Sequence, residues 1–362
     1  MTAYDLLMEA ICWPDVSSHN MKKAELQKIS RADLIQRAEI QGVSPLLYQT
    51  LSSTPDLIPL ALKRELQALY VRHRHASQTR MTIALEVMSA YETQKIDVLW
   101  LKGFALAHLV YPEPALRPMR DMDLLVAPEQ AILAQQTLTS IGFEAPLPST
   151  SHLPSKHLEA ATLQREGFTI SIEVHHNAFH DDFYASLSVP ELSGPPLAFQ
   201  IGNKTAYTLG YEDMLWHLCG HIVNIAHPVK LIWISDIVRF AEMFKTKIDW
   251  DQVRVQYPNI LHMLSLFHTM MPLSAELRDI AKIQVGPQPS GLGEEFQGWP
   301  RYSMQAQRHK GIWGILTDTF LPPEWWLRLY YSLGSARSIH WHRWVRHPFH
   351  ILGFVRQLLL ES

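Results

Sequence analysis

The stretch Arg117-Pro118-Met119-Arg120-Asp121-Met122-Asp123-Leu124-Leu125-Val126 decides how this chain is read. Its first half is charged and its second half apolar, which predicts a short strand over Met122–Val126 running into a core. On an extended strand, residues two apart face the same side. Asp121 and Asp123 then present two carboxylates together where the strand begins. Like charges held this close repel one another unless a cation lies between them. Hard oxygen donors of this kind suit Mg²⁺, which is usually held by one or two carboxylates together with substrate phosphates. The bland alternative is a strand-leading loop with two solvated aspartates.

Upstream, Ile96–Leu101 (IDVLWL) is a β-rich run that ends at Lys102-Gly103. Phe104–Tyr111 reads as one or two helical turns stopped by Pro112 and Pro114. Free backbone N–H groups and the helix dipole at such a junction favour a phosphate, and Lys102 can add a point charge. Downstream, Pro128-Glu129 starts a helix to about Ile141, which Gly142 ends. His157–Gln164 and Phe168–His175 read as strands of a hairpin around Arg165-Glu166-Gly167. In Phe168–His175 (FTISIEVH), Ile170, Ile172 and Val174 alternate with Thr169, Ser171, Glu173 and His175. Glu173 therefore faces away from the apolar side. That is ordinarily a solvent face, and it is also where a two-metal phosphoryl-transfer site needs a third carboxylate.

Further out, residues 1–95 read as helical, with helical spacing over Lys22–Gln41 and a long Gly- and Pro-free run at Leu60–Tyr91. Pro190, Pro195, Pro196, Gly194 and Gly202 mark 178–202 as a loop or linker. Helical patterning returns from Tyr211 through Trp216–Ile225, Leu231–Phe244 and Trp250–Val255, and Gly286–Gly298 is a second break. The expected fold class is α+β: a small mixed-sheet core over 96–205, an N-terminal helical region over 1–95 and a C-terminal helical domain over 206–362.

Composition narrows the function classes. Of 362 residues, 47% are hydrophobic and 19% charged, which excludes an intrinsically disordered chain. The 32 Lys+Arg against 35 Asp+Glu give a net charge of -3, so no global basic field is available for non-specific nucleic-acid binding. Two cysteines, Cys12 and Cys219, cannot build a disulfide framework or a four-thiolate zinc site. Asp5 and Glu9 interrupt the apolar N-terminus, and no run reaches the ~18 apolar residues of a membrane span. The expectation is a soluble, cytoplasmic protein.

The ordered set Leu101-Lys102-Gly103, Arg120-Asp121-Met122-Asp123-Leu124-Leu125-Val126 and Ile172-Glu173-Val174-His175-His176 resembles the polymerase-β-like nucleotidyltransferase superfamily. It is most similar to the branch of bacterial proteins described as uncharacterised nucleotidyltransferases. The motifs cover about residues 95–180 and extend more weakly to about 255 through His217, His221, His227, Trp233–Asp236 and Ile248–Trp250. The resemblance implies Mg²⁺ (or Mn²⁺) held by Asp121, Asp123 and Glu173, with Glu173 also able to act as base. It implies an NTP substrate whose triphosphate approaches the helix start at Gly103, beside Lys102. The sequence departs from the superfamily's more usual Gly-Ser pair, since Lys102 precedes Gly103 and Phe104 follows it. The acceptor, whether a small molecule, a protein side chain or an RNA end, is not specified. The runner-up reading is a catalytically silent nucleotide-sensing or interaction protein that keeps the fold.

Other residues carry two readings each. Arg117 and Arg120 can hold phosphate oxygens or neutralise Asp121 and Asp123. Of His175 and His176, one can be a ligand or proton relay, or be a strand-end histidine bonded to a loop carbonyl. His217 and His221, four apart, can bind zinc or pack a helix, and Cys219 points elsewhere. Asp236, inside an apolar helix, needs a partner such as Arg239 or Lys230. Residues 301–362 hold eight basic residues (Arg301, Arg308, Lys310, Arg328, Arg337, Arg343, Arg346 and Arg356) against Asp318, Glu324 and Glu361, with five Trp among them. This region is either a core with a solvated basic face or a surface for a membrane or RNA.

Overall fold

The structure, a computed structural model, describes residues 3–12, 29–52, 59–148, 157–179, 187–224, 229–286, 311–314, 316–317, 319–322, 324–331, 333 and 339–361. The N-terminal part is helical: α1 (Ala3–Ile11), α2 (Arg31–Ile40), α3 (Ser44–Ser52) and the 35-residue α4 (Leu60–Gln94). Residues 22–28 of the expected Lys22–Gln41 helix lie outside the described residues. In the C-terminal half of α4 the buried residues Ala76, Thr79, Ile83, Val87 and Tyr91 recur every three or four positions, so one stripe faces the core.

The central unit runs β1 (Leu99–Trp100), α5 (Lys102–Leu109), β2 (Asp121–Leu125), α6 (Ala131–Ser140), β3 (Ala161–Arg165) and β4 (Phe168–His175). The sheet order is β1-β2-β4-β3, with β2 and β4 parallel and the other two pairs antiparallel. The fold is thus a mixed α/β arrangement with helices on both sides of a small mixed sheet in sequence. Between β3 and β4, Glu166 (φ 52°) and Gly167 (φ 79°) both take left-handed backbone, as a two-residue hairpin turn that matches strand twist requires. Thr79 on α4 donates to Glu166 Oε2 at 2.7 Å and fastens that turn. The expected strand from His157 begins instead at Ala161; His157 makes only an isolated bridge to His175.

Only the end of the 178–202 segment differs from the loop expected there, and residues 180–186 lie outside the described residues. Leu197–Ile201 (β5) and Lys204–Thr208 (β6) form an antiparallel hairpin that turns at Gly202. Phe199, Ile201, Ala206 and Thr208 are buried, so the period-2 alternation outweighs the neighbouring prolines. Thr208 Oγ1 donates to the carbonyl of Trp100 at 2.5 Å and ties the hairpin to β1.

The remaining helices are α7 (Tyr211–Asn224), α8 (Leu231–Phe244), α9 (Trp250–Gln256), α10 (Pro258–Phe267), α11 (Ala275–Ala281), α12 (Glu324–Tyr330) and α13 (His347–Glu361). A π-helical turn, His342–Arg346, leads into α13. Residues 287–298 of the second expected break lie outside the described residues. One connected apolar core joins α1–α4, the sheet and α7–α11. Among the described residues, no helix is long and apolar enough to cross a membrane.

Candidate metal and nucleotide site

Register builds the site. Across the parallel pair, Asp121 lies opposite Ser171, Asp123 opposite Glu173 and Leu125 opposite His175. Met122, Leu124, Ile172 and Val174 alternate with these positions and are fully buried on the other face. Neighbours in a sheet point to the same side, so Asp123 and Glu173 stand next to each other. His175, two residues beyond Glu173 and with no exposed surface, shares their face. Its Nε2 lies 2.9 Å from Asp123 Oδ1 and 3.3 Å from Glu173 Oε2. One ligand atom from each of Asp123, Glu173 and His175 falls within 4.8 Å of the others.

Lys102 enters from the next strand. The Leu101 N–H donates to the Asp123 carbonyl at 2.8 Å, which sets the end of β1 beside β2. The following residue then brings Lys102 Nζ to 3.3 Å from Asp123 Oδ1. Lys102 takes a left-handed backbone (φ 42°) to do so, a conformation that disfavours residues with a Cβ. Asp121 is half-buried and lies outside the tight group of three, yet it feels their charge. Burial, reinforced by the Asp123 and Glu173 carboxylates, pushes Asp121 above the usual aspartate range, against the pull of Lys102. The hydrogen bond with His175 holds Glu173 below its ordinary value.

Two further cations face this cluster. Arg80, on α4, has its pKa lowered by burial and is held by attraction to Asp121; its Nε makes no hydrogen bond among the described residues. Lys230, immediately before α8, has its pKa lowered by burial and by Arg120 and Arg117, while Asp121 opposes that shift. Arg120 itself is exposed. Neither Arg80 nor Lys230 emerges from the sequence as a site residue. Each sits far along the chain, with no local pattern to mark it.

Arg117, read from the sequence as a phosphate contact or as a counter-charge to Asp121 and Asp123, makes its ion pair with Asp236. It is buried, and its Nη2 lies 2.6 Å and its Nε 3.2 Å from Asp236 Oδ2. Its Nη1 donates to the Pro118 carbonyl at 3.1 Å, so all three nitrogens are engaged within the protein. Asp236 also accepts from Tyr111 Oη at 2.7 Å. The expected partners of Asp236 were Arg239 or Lys230; Arg239 instead donates to Ser235 Oγ at 2.9 Å and to the Ile11 carbonyl at 3.2 Å. Gly103 abuts this pair. A Cβ there would come within 2.7 Å of Arg117 Cζ, so glycine is needed at 103 for the guanidinium to lie where it does.

His217 and His221 are drawn into aromatic packing. The His217 ring contacts Phe179 at 5.9 Å between centroids, and His221 meets Trp233 edge-on at 5.2 Å. His227 lies outside the described residues.

No match is found among curated proteins. Several solved structures are similar at low identity. A solution structure of the antibiotic-resistance factor ANT(2'')-Ia is 14% identical, covers 49% of this chain and 89% of that one, and gives a TM-score of 0.33. A crystal structure of ANT(2'')-Ia in complex with adenylyl-2''-tobramycin is 13% identical, covers 53% and 98%, and gives 0.33. An antigenic nucleotidyltransferase-like protein from Paracoccidioides brasiliensis is 17% identical, covers 58% and 95%, and gives 0.38. The family model described as "Uncharacterised nucleotidyltransferase" matches residues 27–277, most of the chain and all of the strands that carry the acids, and the chain belongs to that family.

Proposed function

We propose that this protein transfers a nucleotidyl group from an NTP to an acceptor hydroxyl, with Asp121, Asp123 and Glu173 as the residues that hold Mg²⁺ (or Mn²⁺). The observation that carries this reading is the register that sets Asp123 beside Glu173 on one sheet face, with Asp121 in their field. The donor set fits a divalent cation. Asp123, Glu173 and His175 each offer a ligand atom within 4.8 Å of the others, Asp121 stands in the field of the two carboxylates, and Lys102 lies 3.3 Å from Asp123. Oxygen donors favour Mg²⁺, while the His175 nitrogen beside them shifts the preference toward Mn²⁺. A bound divalent ion would supply charge neutralisation for the phosphates.

The chain's own groups do the rest. Lys102, Arg120, Arg80 and Lys230 surround Asp121 with positive charge suited to a triphosphate, which the backbone N–H groups at the start of α5, Lys102 and Gly103, would help to hold. In the transfer, the acceptor oxygen bonds to the α-phosphorus, the bond to pyrophosphate breaks, and Glu173 takes the hydroxyl proton. The acceptor is a small molecule, a protein side chain or an RNA end.

A second reading rests on Lys102 and His175. Both already contact Asp123 Oδ1, the Lys102 ammonium at 3.3 Å and His175 Nε2 at 2.9 Å, as internal partners would in a silent nucleotide sensor. One experiment separates the two: incubate the protein with α-labelled NTPs, Mg²⁺ or Mn²⁺ and cell extract. The transferase reading expects labelled product and pyrophosphate that Asp123→Asn abolishes. Nucleotide-dependent stabilisation without any label transfer, by mass action alone, supports the sensor. If neither nucleotide nor metal shifts the melting temperature, both readings fail.

A further inference from the structure

We propose that the helix leading into and through α13 is a docking face for an anionic phospholipid bilayer. The inner side of this helix is fixed. His347 has no exposed surface; its ring nitrogens meet Tyr331 Oη at 2.9 Å and the Thr319 carbonyl at 2.9 Å. Tyr330 Oη pairs with His350 Nε2 at 2.7 Å, and Ile339 and Ile351 are buried. That anchoring dictates which side looks outward.

The outward side carries large apolar groups at helical spacing: Trp341 (62% exposed), Trp344 (61%), Phe349 (70%) and Leu352 (57%). Large apolar side chains left this exposed along one helix mark a surface that is covered in use. The charge beside them says by what. Residues 339–360 contain Arg343, Arg346 and Arg356 and no Asp or Glu, and Arg346 and Arg356 are exposed. Rings and an aliphatic side chain need an apolar medium, and guanidinium groups need anions. An acidic membrane surface offers both within one depth, headgroup phosphates above acyl chains. A second copy of the same helix would set three Arg on each side against one acid, Glu361 at its last position, which disfavours self-association. RNA would stack on the Trp rings but leave Leu352 without a partner. Because no described helix can span a bilayer, the contact is peripheral.

The test uses the full chain with phosphatidylcholine vesicles, with and without phosphatidylglycerol. The expected result is co-sedimentation with the phosphatidylglycerol vesicles only, a blue shift in Trp emission, and release by salt. The double variant Trp341→Ser/Trp344→Ser should lose about tenfold in partition, since apolar burial supplies much of the binding. Arg356→Gln should lose about fivefold, the scale of one cation at an anionic surface. If the Trp variant melts earlier than the parent, Arg356→Gln and the salt dependence decide. Absence of sedimentation at low salt overturns the proposal, as does equal sedimentation with pure phosphatidylcholine. So does an RNA oligonucleotide that binds where vesicles do not, or a dimer in solution that the Trp variant dissociates.

Discussion

Two groups of carboxylates lie close together in this molecule and are treated in opposite ways. Asp236 is saturated: Arg117 grips it through two nitrogens, Tyr111 donates to it, and almost no water reaches the pair. Asp121, Asp123 and Glu173 have no single closing partner: Lys102 lies 3.3 Å from Asp123, the His175 ring is hydrogen-bonded to Asp123, and Arg80 and Lys230 attract Asp121. A closed ion pair spends its charge on the fold. An open cluster keeps its charge for something that arrives from outside, and accepts mutual repulsion in the meantime.

The largest expected contrast compares the same substitution at the two places. Asp236→Asn leaves the buried Arg117 guanidinium without its counter-charge and should cost about 3–5 kcal/mol of unfolding free energy by urea titration. Asp123→Asn should cost transfer on the order of a thousandfold, several kcal/mol of lost charge stabilisation, with little loss of stability. If both variants unfold alike, the open cluster is structural as well. Gly103→Ala comes next. A methyl group pressed against Arg117 should destabilise by about 1–3 kcal/mol, the range for overpacking, more than helix preference would suggest.

A smaller effect has the opposite sign. Burial and the neighbouring carboxylates raise the Asp121 pKa, so the folded state binds that proton more tightly than the unfolded chain does. Ionised Asp121 therefore weakens the metal-free fold, and stability falls as pH rises through the raised pKa. Asp121→Asn should raise the melting temperature of the metal-free protein at neutral pH. That gain should fade as pH drops below the aspartate range, where the parent is protonated too. A variant that melts lower than the parent at pH 7 without metal would show that the cluster is already balanced. The smallest difference isolates the backbone at 102. Lys102→Gly and Lys102→Ala remove the same ammonium, but only glycine relaxes the left-handed backbone there, so Lys102→Gly should be the more stable by about 1 kcal/mol. Equal stability of the two would mean that the loop readjusts.

Much of the site's chemistry was legible along the chain because it sits on one strand and its neighbour. Alternation places Asp121 with Asp123, and Glu173 opposite the apolar side of β4, from period alone. The helices at Leu231–Phe244 and Leu60–Gln94 were likewise visible, since a long apolar stripe has no other periodic explanation. The β5–β6 hairpin was hidden behind Pro190, Pro195 and Pro196, although its own alternation was present in Leu197–Thr208.

The chain by itself determined which residue types occur and which side of a strand or helix they occupy, because those follow from local period and local sterics. Tertiary structure alone decided who meets whom. Nothing near Arg117 announces Asp236, more than a hundred residues away, and only packing α8 against α5 makes one guanidinium a structural anchor. Tertiary contacts likewise bring Arg80 of α4 and Lys230, just before α8, to Asp121, and the β2–β4 register sets His175 against Asp123. Charge interactions depend on distance in space, and distance along the chain fixes that only within a single element.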